Sequence, residues 1–195
     1  MMSTKDKILS AVISHIKDGD NLEQITISKI AAEAEIGKST VYEHFSSKED
    51  MVSETYIYLL NHYKTILMSD IENMSFKNAF FEQLDKILFV MKDAKIIMNA
   101  IMNFDQVSFI HQGKQLETCA SDIRDQMKSR FEGIFRLGII EGLIEPKVPK
   151  PYVSHVVQAL ISGLLFQYIN EAIEIEEHDL FELIYEQTLD IVKKS

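Results

Sequence analysis

Residues 37–45 read GKSTVYEHF and place a lysine, two hydroxyl side chains, a tyrosine and a histidine within nine positions. The hydroxyls of Ser39 and Thr40 can donate to phosphate oxygens or base edges, Lys38 adds a point charge, and the Tyr42 phenol can donate to a phosphate. Glu43 and His44 complete the polar set. On a helix that begins at Lys38, the first turn also carries free N–H groups and positive dipole character, which suit a phosphate or a base edge. Taken singly, Tyr42 and His44 have a plainer role at the rim of a small core. The joint spacing is what points to the surface of a DNA duplex.

Such a helix needs a scaffold, and the preceding residues supply one. Ile8, Leu9, Val12, Ile13 and Ile16 make a helical stripe that stops at Gly19. Thr26 stands where an N-cap would, ahead of Ile27, Ile30, Ala31 and Ala34, and Thr26 and Ser28 join the expected DNA contacts from the start of that helix. Ile30, Ala34, Ile36, Val41 and Phe45 can share one core if two helices cross steeply over a turn of roughly three or four residues. Ala31 is small where they come closest. This is a helix-turn-helix pattern. Ser46 and Glu49 have capping-box spacing before a long helix that runs to about Met68, and Lys48 at its start can grip the DNA backbone.

The remainder predicts further helices: Phe76 to Val90, 94–104, 115–144, 152–174 and 179–193, with all three prolines in the connector PKVPKP. The expected fold is all-α, a three-helix DNA-binding domain over 1–47 and a larger helical domain over 48–195. A hydrophobic content of 46% with 26% charged residues is ordinary for a globular chain. One cysteine, Cys119, excludes an internal disulfide and fits a reducing cytoplasm. The N-terminus lacks a signal-peptide pattern. The most apolar stretch, 156–173, is interrupted by Gln158, Ser162, Gln167, Asn170 and Glu171, and so predicts a buried helix instead of a membrane span.

A net charge of -10 argues against general affinity for nucleic acid. It leaves room for a small DNA-contacting face, because placement of charge matters as well as its total. The first 50 residues hold six lysines, nine acids and no arginine, so bidentate arginine readout of guanine is unavailable there. Specificity would fall to Lys38, Ser39, Thr40, Glu43 and contacts with thymine methyls, and binding is expected to be salt-sensitive and modest. No His-Glu-x-x-His, paired cysteine, phosphate loop or Gly-x-Ser-x-Gly is present, so no catalytic residue, metal site or cofactor is expected. His178 with Glu176, Glu177 and Asp179 reads as an acidic turn before the last helix, and Cys119 as helix filler.

The segment ITISKIAAEAEIGKSTVYEHFSSKEDM, 25–51, resembles the N-terminal signature of the TetR-type (tetracycline-repressor-like) transcriptional regulators. The positions that carry the resemblance are Thr26, Ile30, Ala31, Ala34, Ile36, Lys38, Thr40, Val41, Tyr42, His44, Phe45, Lys48 and Glu49. Two depart from it: Glu35 stands where a turn glycine is usual, and Gly37 where serine is common. If the turn needs a positive φ, Glu35 carries strain.

The resemblance implies a homodimeric repressor, a palindromic operator and a small-molecule inducer, with the C-terminal helices forming both pocket and dimer interface. The segment 152–173 is apolar on nearly every side, which suits a helix packed on its own core and on a partner. The expected interface is Val153, Val157, Leu160, Ile161, Gly163 and Leu164, with Leu180, Ile184 and Ile191 of the last helix, joined as an intersubunit four-helix bundle. The expected pocket, suited to an apolar inducer, is lined by Met91, Met98, Met102, Phe104, Phe109, Met127, Phe131, Phe135 and Phe166, with Arg124 as a polar anchor. Simple core packing competes with that role for each of them. The other reading is a helical ligand-binding or interaction protein whose DNA binding has weakened or been lost.

Overall fold

A computed structural model describes residues 2–20, 24–71, 75–102, 113–145, 150 and 152–193, and the side chains of all of these except 96–102 and 113–116. The described residues form eight helices and no strand: α1 (Thr4–Lys17), α2 (Ile27–Glu33), α3 (Lys38–His44), α4 (Lys48–Leu67), α5 (Phe76–Met102), α6 (Gly113–Ile140), α7 (Val153–Ile169) and α8 (Glu177–Lys193). The expected all-α fold is observed. The two segments expected at 76–90 and 94–104 are one helix, since nothing between Met91 and Ala94 breaks it.

The chain packs as two compact units, Met1–Thr65 with Asp93–Arg124, and Ile66–Lys92 with Asp125–Ser195. Helices α4, α5 and α6 each contribute to both.

In the first unit, Ser3 caps α1 and exchanges bonds with Asp6 as a capping box. The helix ends where Gly19 takes φ 86, with Gly19 N–H on Ile16 O and Asp20 N–H on His15 O. Ile8, Val12 and Ile16 of α1, Ile30 and Ala31 of α2, Val41 of α3 and Phe45 after it are all buried. α1 packs on α2 and α2 on α3. The start of α4 differs from expectation by one residue. Ser47, not Ser46, accepts from Asp50 N–H at 3.1 Å. The Asp50 carboxylate reaches back to the N–H and hydroxyl of Ser46, both at 2.9 Å. Asp50, with its shorter arm, takes the reciprocal role assigned to Glu49. The Glu49 carboxyl is held below the usual range by its own backbone N–H first and then by Ser47.

In the second unit, the core is built on Phe76, Phe80, Leu84 and Leu88 of α5, which recur every four residues and so share one face. Phe76 and Phe80 meet Tyr185 of α8 with ring centroids at 5.5 and 5.8 Å, and Phe80 meets Phe131 of α6 at 6.0 Å. Gly138 is required by close approach: a Cβ there would stand 2.8 Å from Ile144 Cδ1 and 3.1 Å from Phe76 Cγ. Val153, Val157, Ile161 and Leu165 of α7 and Leu180 and Ile184 of α8 face the same core.

Candidate nucleic-acid interface

The turn between α2 and α3 decides what α3 can present. Thr26 caps α2, its Oγ1 accepting from Lys29 N–H at 3.2 Å. The helix ends with Glu35 at φ 55, a left-handed conformation that disfavours a side chain with a Cβ. Glu35 N–H bonds to Ala32 O and Ile36 N–H to Ala31 O, the pair of bonds that closes a helix when the next residue turns left-handed. The expected strain is therefore located at Glu35. Gly37 has an ordinary φ of −73 and a Cβ would meet nothing nearer than Ser39 Oγ at 3.5 Å, so glycine is not required there.

With the turn so closed, α3 has two unlike sides. Val41 and the following Phe45 are 1% and 2% exposed and hold the helix on the core. Lys38, Ser39, Tyr42, Glu43 and His44 are exposed, Tyr42 by 55%, and Thr40 is half-buried. Tyr42 and His44 are therefore largely in solvent, with the His44 ring 6.4 Å from that of the buried Phe45. Thr26 and Ser28 are exposed as well, and Lys48 is half-buried at the start of α4. The Thr26 hydroxyl accepts from the backbone and still has its proton to donate. All nine residues assigned to DNA contact thus lie in the first unit, with hydroxyl, phenol, imidazole, carboxylate and ammonium groups at or near its surface.

The face is not strongly positive. Lys5 is paired with Glu54 at 3.2 Å and lies over the Phe45 ring, and Lys17 is paired with Asp93 at 2.6 Å. Lys29 stands 3.8 Å from Asp20. Lys38 opens α3 and Lys48 opens α4.

The residues assigned to an inducer pocket are only partly among those described. Phe131 and Phe135 pack with Phe80 in the second unit's core, and Met127 Sδ lies 3.8 Å from Gln83 Nε2. Met91 is half-buried against that core. Arg124 is exposed and counted in the first unit, and Phe166 is 62% exposed on α7, so neither joins that cluster. The side chains of Met98 and Met102, and residues Phe104 and Phe109, lie outside the described residues. The second unit does carry an open groove of about 560 Å³ that sequence reasoning missed. Its floor includes Met68, Ile71, Ala79 and Leu137, and its edge Gln126, Ser129 and Arg130. Arg130 donates to the carbonyls of Met68 and Ser69 at the end of α4.

The expected dimer residues also divide. Val153, Val157, Ile161, Leu180 and Ile184 are buried in the chain's own core, so they are not the exposed side. Leu160, Gly163, Leu164 and Ile191 are half-buried. The side of α7 that faces outward carries Tyr152 just before it, Val156, Ala159 and Phe166, which recur at helical spacing and are exposed. A helix apolar on every side does not announce which side its own core will take.

Among the described residues, no helix is long and apolar enough to cross a membrane, and no three His, Cys, Asp or Glu side chains group as metal ligands. Residues 21–55 match the family model of the bacterial regulatory proteins of the tetR family. A search of curated proteins found no match by sequence. Solved structures with the same fold include a TetR family protein from Vibrio parahaemolyticus, 19% identical, covering 99% of this chain and 100% of that one with a TM-score of 0.58. A TetR family transcription regulator from Marinobacter aquaeolei VT8 is 16% identical, with coverage of 97% and 95% and a TM-score of 0.55. A TetR-family transcriptional regulator from Haemophilus influenzae Rd is 15% identical, with coverage of 97% and 96% and a TM-score of 0.56. Residues 21–55 thus match the family model of the tetR-type regulatory proteins, and the chain shares the fold of these solved structures.

Proposed function

We propose that this protein is a homodimeric transcriptional repressor of the cytoplasm that binds a palindromic operator and is released by a small-molecule inducer. The observation that carries the reading is the two-sidedness of α3: Val41 and Phe45 are buried while Lys38, Ser39, Tyr42, Glu43 and His44 are exposed. A short helix held from behind, with hydroxyl, phenol and ammonium groups in front, suits the major groove. Thr26, Ser28, Tyr42 and Lys48 would bond to phosphate, and Lys38, Ser39, Thr40 and Glu43 would meet base edges. No catalytic step is assigned to any residue.

Dimerisation would use the outward stripe of Tyr152, Val156 and Phe166 on α7, with Leu183 of α8, whose exposed apolar area a second copy would cover. Two recognition helices roughly 34–36 Å apart would then enter successive major grooves. An apolar inducer has room in the groove floored by Met68, Ile71, Ala79 and Leu137. Its binding would favour a second arrangement of α4, the helix that carries Lys48, with a coupling of about 1–3 kcal/mol.

A second reading is favoured by one observation, the excess of nine acids over six lysines in the first 50 residues. In that reading the helical domain binds a ligand and DNA affinity is weak or lost. Selection of duplexes from a random-sequence library separates the two. The repressor reading expects enrichment of an inverted repeat, and enrichment of nothing at low salt would favour the second.

A further inference from the structure

Asp93 lies on α5, 49 positions after the last residue of α3 by numbering (93 − 44), and both of its carboxylate oxygens hold other helices of the first unit. Oδ1 is 2.6 Å from Lys17 Nζ in the last turn of α1. Oδ2 accepts from the Tyr63 hydroxyl of α4 at 3.0 Å. Tyr63 is only 6% exposed. Burial first, then the bond to Asp93, pushes its phenol well above the ordinary range, so it remains a donor. Lys17 stands at the C-terminal end of α1, where the helix carbonyls also favour a cation. One carboxylate therefore fixes the end of α1 against α4.

We propose that Asp93 is a positioning residue for operator binding, a reading that rests on the DNA-binding function proposed above. α1 packs on α2, and α2 on α3, so the place of α1 sets the support on which the reading helix lies. Lys48, at the start of α4, is the second thing this support must keep in place. Fixing the end of α1 to α4 through Asp93 holds the DNA-contacting groups of α2, α3 and α4 in one register. Those groups must meet the duplex together, so an error in their mutual placement costs affinity even where every contacting residue is intact.

Charge alone predicts the opposite sign. Removing an acid from an acidic protein raises its affinity for DNA if only electrostatics counts. The positioning role predicts a fall. The test titrates wild type, Asp93→Asn, Lys17→Met, the double variant and the exchange Lys17→Asp with Asp93→Lys against a duplex selected by the wild-type protein, with thermal unfolding followed in parallel. Lys77→Met serves as a control, because Lys77 pairs with Glu182 inside the second unit. Each single variant is expected to bind about three- to tenfold more weakly. The double variant should be no weaker than the worse single, the exchange should recover part of the loss, and the control should bind as wild type does. Asp93→Asn binding as tightly as wild type or more tightly, or losses that simply add, would overturn the proposal. Should Asp93→Asn fail to fold, Lys17→Met and the exchange decide it by the same criteria. Failure of the wild-type protein to bind any duplex overturns the DNA reading and this proposal with it, and is recognised because no variant is then needed to see it.

Discussion

α3 and α7 are both held to a core by one side, yet they differ in what the other side carries. α3 buries Val41 and turns Lys38, Ser39, Tyr42, Glu43 and His44 outward. α7 buries Val153, Val157, Ile161 and Leu165 and turns Val156 and Phe166 outward, next to the exposed Tyr152. Polar groups in water lose little when they stay there, and can exchange hydrogen bonds with water for bonds to phosphate and bases at small net cost. Exposed apolar groups gain only by leaving water, so the outer side of α7 calls for a cover of its own kind. The same device, a helix fixed from behind, thus turns polar groups outward in one unit and apolar groups outward in the other.

That contrast can be broken most severely from the inside of α7. Val157→Asp puts a carboxylate into the second unit's core and should cost roughly 3–5 kcal/mol, seen as loss of cooperative thermal unfolding. Phe166→Glu, on the outer side of the same helix, should leave the monomer folded while weakening self-association by roughly two orders of magnitude. Sedimentation against concentration checks it. If Phe166→Glu unfolds the chain or leaves its association untouched, the outer side of α7 has been misassigned.

On α3 the expected effects are smaller. Tyr42→Phe and Lys48→Ala should each lower affinity about three- to tenfold on every duplex alike, because the contacts proposed for them are to phosphate. Thr40→Ala and Lys38→Ala should in addition change which duplex is preferred, read by repeating the selection. Four variants that bind as wild type does would place the DNA face elsewhere. Least of all, Glu35→Gly should stabilise by about 0.5–1 kcal/mol, since glycine accepts the left-handed conformation that Glu35 holds at φ 55. Calorimetry should find a midpoint raised by about 2–4 °C per kcal/mol for a chain of this size. A fall instead would mean that the Glu35 side chain contributes more than its backbone costs.

How far each region could be read beforehand follows from the same contrast. In 24–50 most apolar residues recur on one side, so the buried positions Ile30, Ala31, Ala34, Val41 and Phe45 follow from spacing, while Ile36, expected in that core, is half-buried and Ala32 is exposed. The resemblance to TetR-type regulators rested on those positions, and the family match at 21–55 falls on the same stretch. What spacing did not resolve was the choice between neighbours: Ser47 with Asp50, instead of Ser46 with Glu49, closes the start of α4, because two serines and three ionic residues stand in a row. α7 was legible as a helix but not in its orientation. Val157 and Phe166 are equally apolar, and only packing against α8 and α5 tells the core residue from the exposed one. The groove over Met68 and Leu137 was out of reach for a related reason, since it arises where α5, α6 and the segment after α4 leave space and no residue type marks it.

The central claim is that α3 and its neighbours bind duplex DNA, and a salt titration tests it most directly. Binding of the full chain to its selected duplex would be followed by fluorescence anisotropy across a series of salt concentrations. With Lys38 and Lys48 from each of two subunits neutralising phosphates, the account predicts that log K falls linearly with log salt at a slope of roughly −3 to −4. Absence of binding to any duplex at the lowest salt, or binding indifferent to salt, would contradict it.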